Sequence, residues 1–171
     1  MGHSPLALAD VITTDLTAPI VLSRAAAPLL PAGGAIVNVA SLAGMVPIPD
    51  EAAYSAAKAG LRAFTRAVAE ELPHLHIGSV CPGPVDTPFF GDVAKVPNLV
   101  FSQPMSTAAE VADAILQCIA TGRREVALPS LSGKLCTAGY VFPALARLLR
   151  PMLERRGARR KERYLQAKGL A

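Results

Sequence analysis

The sequence predicts an α/β fold, in which a parallel sheet of short strands is wound on both faces by helices. Three observations carry that expectation. Segments with apolar residues at helical spacing alternate with short, continuous apolar runs, the pattern of strand–helix–strand units. The short runs are apolar almost throughout, which suits strands covered on both faces. Of the 171 residues 51% are apolar and 18% charged, enough for one domain with its own core, which excludes disorder and a fibrous repeat.

The elements follow in order. Residues 11–30 are apolar at helical spacing (Ile12, Leu16, Ile20, Leu22, Leu29), and Pro31 supplies the stop. Residues 35–39 (Ala-Ile-Val-Asn-Val), after Gly33-Gly34, read as a buried strand. Residues 51–72 form an Ala-rich helix with Leu61, Phe64, Val68 and Leu72 recurring every three or four positions. Residues 75–80 give a second strand, closed by Cys81-Pro82-Gly83-Pro84. Residues 89–106 make a long apolar connection through Phe89, Phe90, Val96, Leu99, Val100 and Phe101, a length typical of functional lids or poorly ordered segments. Thr107-Ala108-Ala109-Glu110 is a capping-box pattern that opens a helix running to about Ile119. Residues 125–128 read as a third strand before Pro129. Residues 1–139 are therefore expected to form the main body, and 140–171 a helical extension, apolar and then basic.

Charge is unevenly placed. Residues 147–171 carry nine Lys/Arg and two Asp/Glu, a balance of +7, while the rest of the chain stands at −3. A basic tail of this kind is ordinarily a solvated helix face, and nucleic acid is not an expected partner. Two readings stay open for residues 140–171. One is a helix that caps the substrate pocket with its cationic end in solvent, favoured because Pro143 and Pro151 interrupt the apolar stretch. The other is an interfacial helix on anionic lipid. No apolar run is expected to reach a membrane span, and residues 1–9 lack the pattern of a secretory signal. Cys81, Cys118 and Cys136 show no CxxC spacing, so neither a disulfide framework nor a metal module is expected and the cytoplasm is the default compartment. His74 and His76 alternate as two imidazoles on one strand face would, a weak basis for a metal site.

The chemistry lies at strand ends. In a parallel sheet, ligands bind beyond the carboxyl ends of the strands. The first strand runs into Ser41, and Tyr54 and Lys58 follow four residues apart on one face of the next helix. A cation near a phenol favours phenolate and is expected to lower the tyrosine pKa from its usual value of about 10. Such a tyrosine exchanges a proton with a carbonyl or alcohol oxygen, and a serine hydroxyl beside it holds the same oxygen. Taken singly, Ser41 also reads as a strand terminator and Thr87 as a turn or capping residue.

The ordered set Asn38-Val39-Ala40-Ser41, Tyr54-Ser55-Ala56-Ala57-Lys58 and Pro82-Gly83-Pro84-Val85-Asp86-Thr87 resembles the short-chain dehydrogenase/reductase family, from about Val11 to Leu128. The resemblance implies the second half of a Rossmann-like doubly wound sheet and NAD- or NADP-dependent interconversion of an alcohol and a carbonyl. It implies that Tyr54 is the acid/base, that Ser41 orients the substrate oxygen, and that Lys58 tunes Tyr54 and binds the nicotinamide ribose. Pro82, Gly83, Val85 and Thr87 would line the nicotinamide, with Val85 and Thr87 at the carboxamide.

Two departures from the family pattern stand out. Asp15 takes the place of the family's catalytic asparagine. Pro19 has no N–H and pushes away the carbonyl four residues earlier, that of Asp15, leaving it free to hold a water in the proton relay, while the carboxylate is expected to perturb Lys58. The glycine-rich turn that cradles a dinucleotide pyrophosphate is absent; Gly33-Gly34 precedes a strand instead of following one. The resemblance therefore implies a nicotinamide half-site whose activity and cofactor binding are impaired in the isolated chain. It also implies an open edge at residues 35–39 and association, as a homo-oligomer, through the helices at 11–30 and 51–72. A silent oligomerisation or regulatory module and a peripheral membrane protein remain as alternative readings. The apolar lid points to a lipophilic alcohol or carbonyl substrate, although such residues also suit an ordinary core.

Overall fold

A computed structural model describes residues 4–169. Three parallel strands, β1 (Ala35–Val39), β2 (His76–Pro82) and β3 (Glu125–Leu128), lie in the order β1-β2-β3. Ala35 pairs with His76 and Val39 with Val80, and the register passes from Ser79 opposite Glu125 to Pro82 opposite Leu128. Helices α1 (Pro5–Ile12), α2 (Ala18–Ala26) and α3 (Ala52–Glu71) precede β2. Helices α4 (Ala108–Thr121), α5 (Ser130–Val141) and α6 (Pro143–Lys168) follow it.

The sheet is covered on both faces, as its apolar strands require. On one face Ile36 and Ile77 meet Ala27, Val68 and Ala69 of the α2–α3 side. On the other, Val37, Val80 and Val126 meet Ala114 and Cys118 of α4. A third cluster, Ala40, Leu42, Met45, Cys81 and Cys136, fills the carboxyl end of the sheet beneath α5. Helix α3 buries small residues (Ala57, Thr65, Ala69) together with Leu61, so its inward face is set by close approach to the sheet. A buried chain of polar contacts ties the layers together: Ser23 Oγ donates to Asn38 Oδ1 (3.4 Å) and Asn38 Nδ2 to Thr65 Oγ1 (3.0 Å).

Several element boundaries depart from expectation. The first helical run begins at Pro5, with Ser4 as its cap, and widens to a π turn at Thr13–Thr17. Pro19 explains the wide turn, because it offers no donor to the Asp15 carbonyl and the preceding helix bonds to i−5 instead, Ala18 N to Thr13 O. By length and composition, Pro5–Leu29 is long and apolar enough to cross a membrane, contrary to the reading of the sequence. Here it flanks α3: the Leu16 side chain lies where a Cβ on Gly60 would stand 3.2 Å away. Strand β2 extends through Pro82. His74 lies in the turn before β2, where its carbonyl accepts from Gly33 N (2.8 Å). The two histidines therefore do not share a strand face. The capping box at Thr107 is formed, Glu110 N donating to Thr107 Oγ1 and Thr107 N to Glu110 Oε2. Pro151 does not interrupt the last helix, which runs through it from Pro143 to Lys168.

Candidate active site

Ser41 closes the extension of β1 and caps the short turn Leu42–Gly44, accepting from Ala43 N (3.1 Å) and donating to the Pro82 carbonyl at the end of β2 (3.5 Å). Gly44 lets this turn lie on α3: a Cβ there would stand 2.6 Å from the Lys58 carbonyl carbon and 2.7 Å from its oxygen. The start of α3 is held by Ile48 N donating to Ser55 Oγ (3.1 Å). Tyr54 and Lys58 project from this first part of α3 toward Ser41.

The four residues singled out in the sequence come together. Lys58 Nζ stands 5.7 Å from the Tyr54 ring centroid, donates to the Val39 carbonyl (3.2 Å) and pairs with Asp15 Oδ1 (3.1 Å). The Ser41 hydroxyl faces the Tyr54 phenol and favours its ionised form. The phenol pKa nevertheless lies above its ordinary value of 10.0, which corrects the expectation of a lowered one. Burial is the largest cause, since it disfavours the anion, and the carboxylates of Asp15 and Glu51 add to it. The opposing effect is muted, because the ammonium expected to favour phenolate is paired with Asp15.

The segment after β2 closes over this group. Ser106 N donates to Pro84 O, Asp86 N to Ser106 O and Thr87 N to Val85 O, all at 2.8 to 2.9 Å. Pro82 is buried, Gly83, Val85 and Thr87 partly so, and the Phe89 ring stands 6.2 Å from that of Tyr54. The connection 89–106 contains short 3-10 turns at Pro88–Phe90, Val93–Lys95 and Val100–Ser102. Val93 and Phe101 are buried, so part of the apolar lid is core.

What holds this loop is the cationic half of α6, against the expectation that it stands in solvent. Arg160 Nη1 donates to Ser102 O (2.9 Å), and Lys161 Nζ to both Ala94 O and Val96 O (2.7 Å each). Tyr164 OH and Lys168 Nζ reach the two Asp86 carboxylate oxygens at 2.8 and 3.0 Å. Gly157 admits the loop backbone, for a Cβ would lie 1.8 Å from Asn98 O. Rings follow one another in tilted and edge-on contacts from Tyr54 through Phe89, Phe90 and Phe101 to Tyr164 at centroid separations of 5.8 to 6.2 Å. Asp86 is held below the usual carboxylate range by its bonds from Lys168 and Tyr164.

Sequence reasoning missed two supports. Arg62 lies four residues beyond Lys58 and grips Glu125 with two nitrogens (2.8 and 2.9 Å) and the Gly44 carbonyl with a third (2.6 Å). Its i+4 spacing from Lys58 is the signal that was available. Gly44 has no local signal, because its need is set by a helix that follows in sequence. Cys81 beside Arg62 is fully buried, its thiol pushed up to about 12 by burial, as suits a small core residue rather than a nucleophile.

The residues present fit one half of a dinucleotide. Lys58 has three donors, two of them placed by Val39 and Asp15, which leaves one for a ligand hydroxyl. The backbone turn at Val85–Thr87 leads into Phe89, whose ring stands 6.2 Å from that of Tyr54. Among the described residues no glycine-rich turn follows a strand onto a helix N-terminus, so the pyrophosphate has no cradle of that kind. A cleft of about 560 Å³ lies away from these residues, between β3 and α5, lined by Met45, Glu125, Gly133 and Phe142 among others. Among the described residues no group of histidine, cysteine and carboxylate side chains could hold a metal ion.

The sequence is 41% identical over 80 residues to trans-4-hydroxycyclohexanecarboxylate dehydrogenase of Sinomonas cyclohexanicum, covering 45% of this chain and 31% of that protein. It is 34% identical over 116 residues to carbonyl reductase family member 4 of Danio rerio, covering 63% of this chain and 47% of that protein. A short chain dehydrogenase from Burkholderia cenocepacia, solved in complex with NADP, superposes with a TM-score of 0.71 at 30% identity, covering 86% of this chain and 62% of that one. The chain thus spans about a quarter to a half of the curated relatives' length. The short chain dehydrogenase pattern itself matches residues 3–97, over half of the sequence, and the chain belongs to that family.

Proposed function

We propose that Ser41, Tyr54 and Lys58 form the proton-transfer site of a nicotinamide-dependent oxidoreductase that interconverts an alcohol and a carbonyl. The convergence of a hydroxyl, a phenol and an ammonium at the carboxyl ends of β1 and β2 carries this reading. NAD or NADP, bound against Pro82, Gly83, Val85 and Thr87, would supply or accept the hydride; the NADP-bound relative supports a nicotinamide cofactor without fixing the preference. In carbonyl reduction the Tyr54 O–H bond breaks and its proton passes to the carbonyl oxygen, while Ser41 donates a hydrogen bond to that oxygen. A phenol with a raised pKa is neutral at pH 7 and ready to donate. Lys58 draws a proton back toward Tyr54 along a path that includes Asp15, and its third donor is directed to the cofactor ribose.

The exposed Phe89 ring over Tyr54 supports a lipophilic substrate. Exposed apolar side chains on α2 and beyond, Leu22 and Leu29 among them, support association of copies through α2 and α3. The absence of a glycine-rich cradle among the described residues favours a second reading, a silent module that keeps the fold and associates through the same helices.

The test is ketone-dependent oxidation of NADH and NADPH by the chain, with Tyr54→Phe as control. Turnover that falls at least about a hundredfold in the variant is expected. Cofactor consumption equal in the two proteins would refute the role of Tyr54. Lys58-dependent cofactor binding without turnover would favour the silent module.

A further inference from the structure

The sequence pattern of residues 140–171, apolar and then basic, is divided by the fold in an unexpected way. The basic half of α6 docks on the body, and the apolar half stands away from it. Helix α5 packs inward through Ser132, Gly133 and Cys136, so closely that a Cβ on Gly133 would lie 2.2 Å from Ala127 Cβ. Its other side and the start of α6 meet solvent at a helical hairpin whose joint is Phe142. Leu135, Tyr140, Phe142, Leu145, Leu148 and Met152 are each 50 to 76% exposed. Monomeric soluble proteins rarely expose a contiguous apolar patch of this kind, and where one occurs it marks an interaction surface.

The charge beside the patch identifies what covers it. The outward stripe of α6 that carries Leu145, Leu148 and Met152 continues, at the same three- and four-residue spacing, as Arg155, Arg159 and Arg163, with Arg156 beside it. The cations of the inward face, Arg160, Lys161 and Lys168, are already engaged by the body. The four outward arginines have no carboxylate within ion-pair distance among the described residues. A second copy of the chain with its α6 parallel would bring like-charged arginine stripes together, and an antiparallel copy would set the arginines against the apolar stripe of Leu145, Leu148 and Met152, which carries no carboxylate. A surface of anionic headgroups over apolar tails complements both parts at once.

We propose that the α5–α6 hairpin is a docking face for an anionic lipid bilayer, its apolar tip entering the headgroup–acyl boundary and its outward arginines pairing with lipid phosphates and carboxylates. This face is independent of the active-site reading, and it lies on different helices from the exposed side of α1 and α2.

The experiment is flotation of the full chain with phosphatidylcholine vesicles, with and without phosphatidylserine, at low and high salt. Leu148→Glu with Phe142→Glu tests the apolar tip, and Arg155→Gln with Arg159→Gln tests the stripe. Leu116→Glu on α4, a 63% exposed leucine, is the control for nonspecific apolar attachment. All are surface positions, and unchanged circular dichroism verifies that each variant folds. The expected result is partitioning at least about tenfold stronger with phosphatidylserine, lost in high salt. Both hairpin variants should lower it about tenfold or more, and the α4 variant should leave it unchanged. Failure of the wild-type chain to float with anionic vesicles would overturn the proposal, as would flotation that depends on Leu116 instead. A concentration-dependent dimer broken by the tip variant, without flotation, would assign the face to a second copy and also overturn it.

Discussion

Replacement of Asp15 by asparagine is the perturbation that most sharply separates charge compensation from simple burial at Tyr54. Lys58 Nζ stands 5.7 Å from the phenol ring centroid. A unit charge at that distance is worth about 3 kcal/mol at an effective dielectric constant of about 20, roughly two pH units on the phenol. The Asp15 carboxylate, 3.1 Å from the same ammonium, cancels most of that attraction and itself opposes phenolate. The Asp15→Asn change keeps the shape and removes the charge. The Lys58 and Asp15 side chains retain contact with water, at 12% and 22% exposure, so screening takes about half of the gain. The Tyr54 midpoint is therefore expected to fall by about one pH unit. The sign follows from linkage, since loss of an anion beside an ionising phenol favours its anionic form. Tyrosinate ultraviolet absorption measures it, with Tyr54→Phe as the blank for Tyr140 and Tyr164. In an active protein, the rising limb of alcohol oxidation, on which Tyr54 must be ionised to accept the proton, should move down by the same amount. A midpoint that stays in place or rises would refute the reasoning and leave burial as the whole cause.

Other outcomes follow from neighbouring contacts. Gly44→Ala sets a methyl against the Lys58 backbone and is expected to cost about 2 to 4 kcal/mol in urea unfolding; a loss below about 0.5 kcal/mol would mean that the turn does not rest on α3. Arg62→Met removes the two-pronged bond to Glu125 and the bond to Gly44, at an expected cost of about 1 to 2 kcal/mol given their partial exposure, read from the same denaturation. Asp86 has a lowered pKa, so its anion supports the loop at neutral pH and that support is lost as pH falls through the lowered value, below about pH 4. Asp86→Asn, which copies the protonated side chain, should raise deuterium uptake across residues 88–102 at neutral pH and leave β2 unchanged.

The strands were legible because each is a short apolar run between turn residues, and their parallel order follows from the intervening helices. The convergence of Ser41, Tyr54 and Lys58 was legible because strand ends and the i, i+4 helical spacing are local properties. The ionisation of Tyr54 was not. Its sign is set first by burial of the phenol, which only the packed fold decides, and then by the carboxylates of Asp15 and Glu51. The tail was misread for a related reason. Pro143 and Pro151 read as breaks, yet Pro143 sits at the first helical position, where proline costs nothing, and α6 continues through Pro151. Which half of α6 docks was decided by loop carbonyls at Ala94, Val96 and Ser102, acceptors that every sequence has and that only the fold aims. Gly157, which makes that docking possible, reads from sequence as a weak point in a helix.

The central claim is that these residues form a nicotinamide half-site that works beside Tyr54. Fluorescence titration with reduced nicotinamide mononucleotide, compared with NADH and NADPH, tests it most directly. Saturable enhancement is expected for all three, with affinities within about tenfold of one another because the adenylate half finds no glycine-rich cradle among the described residues, and it should vanish in Lys58→Met. A wild-type chain that gives no saturable signal, or a signal indifferent to Lys58, would contradict the account.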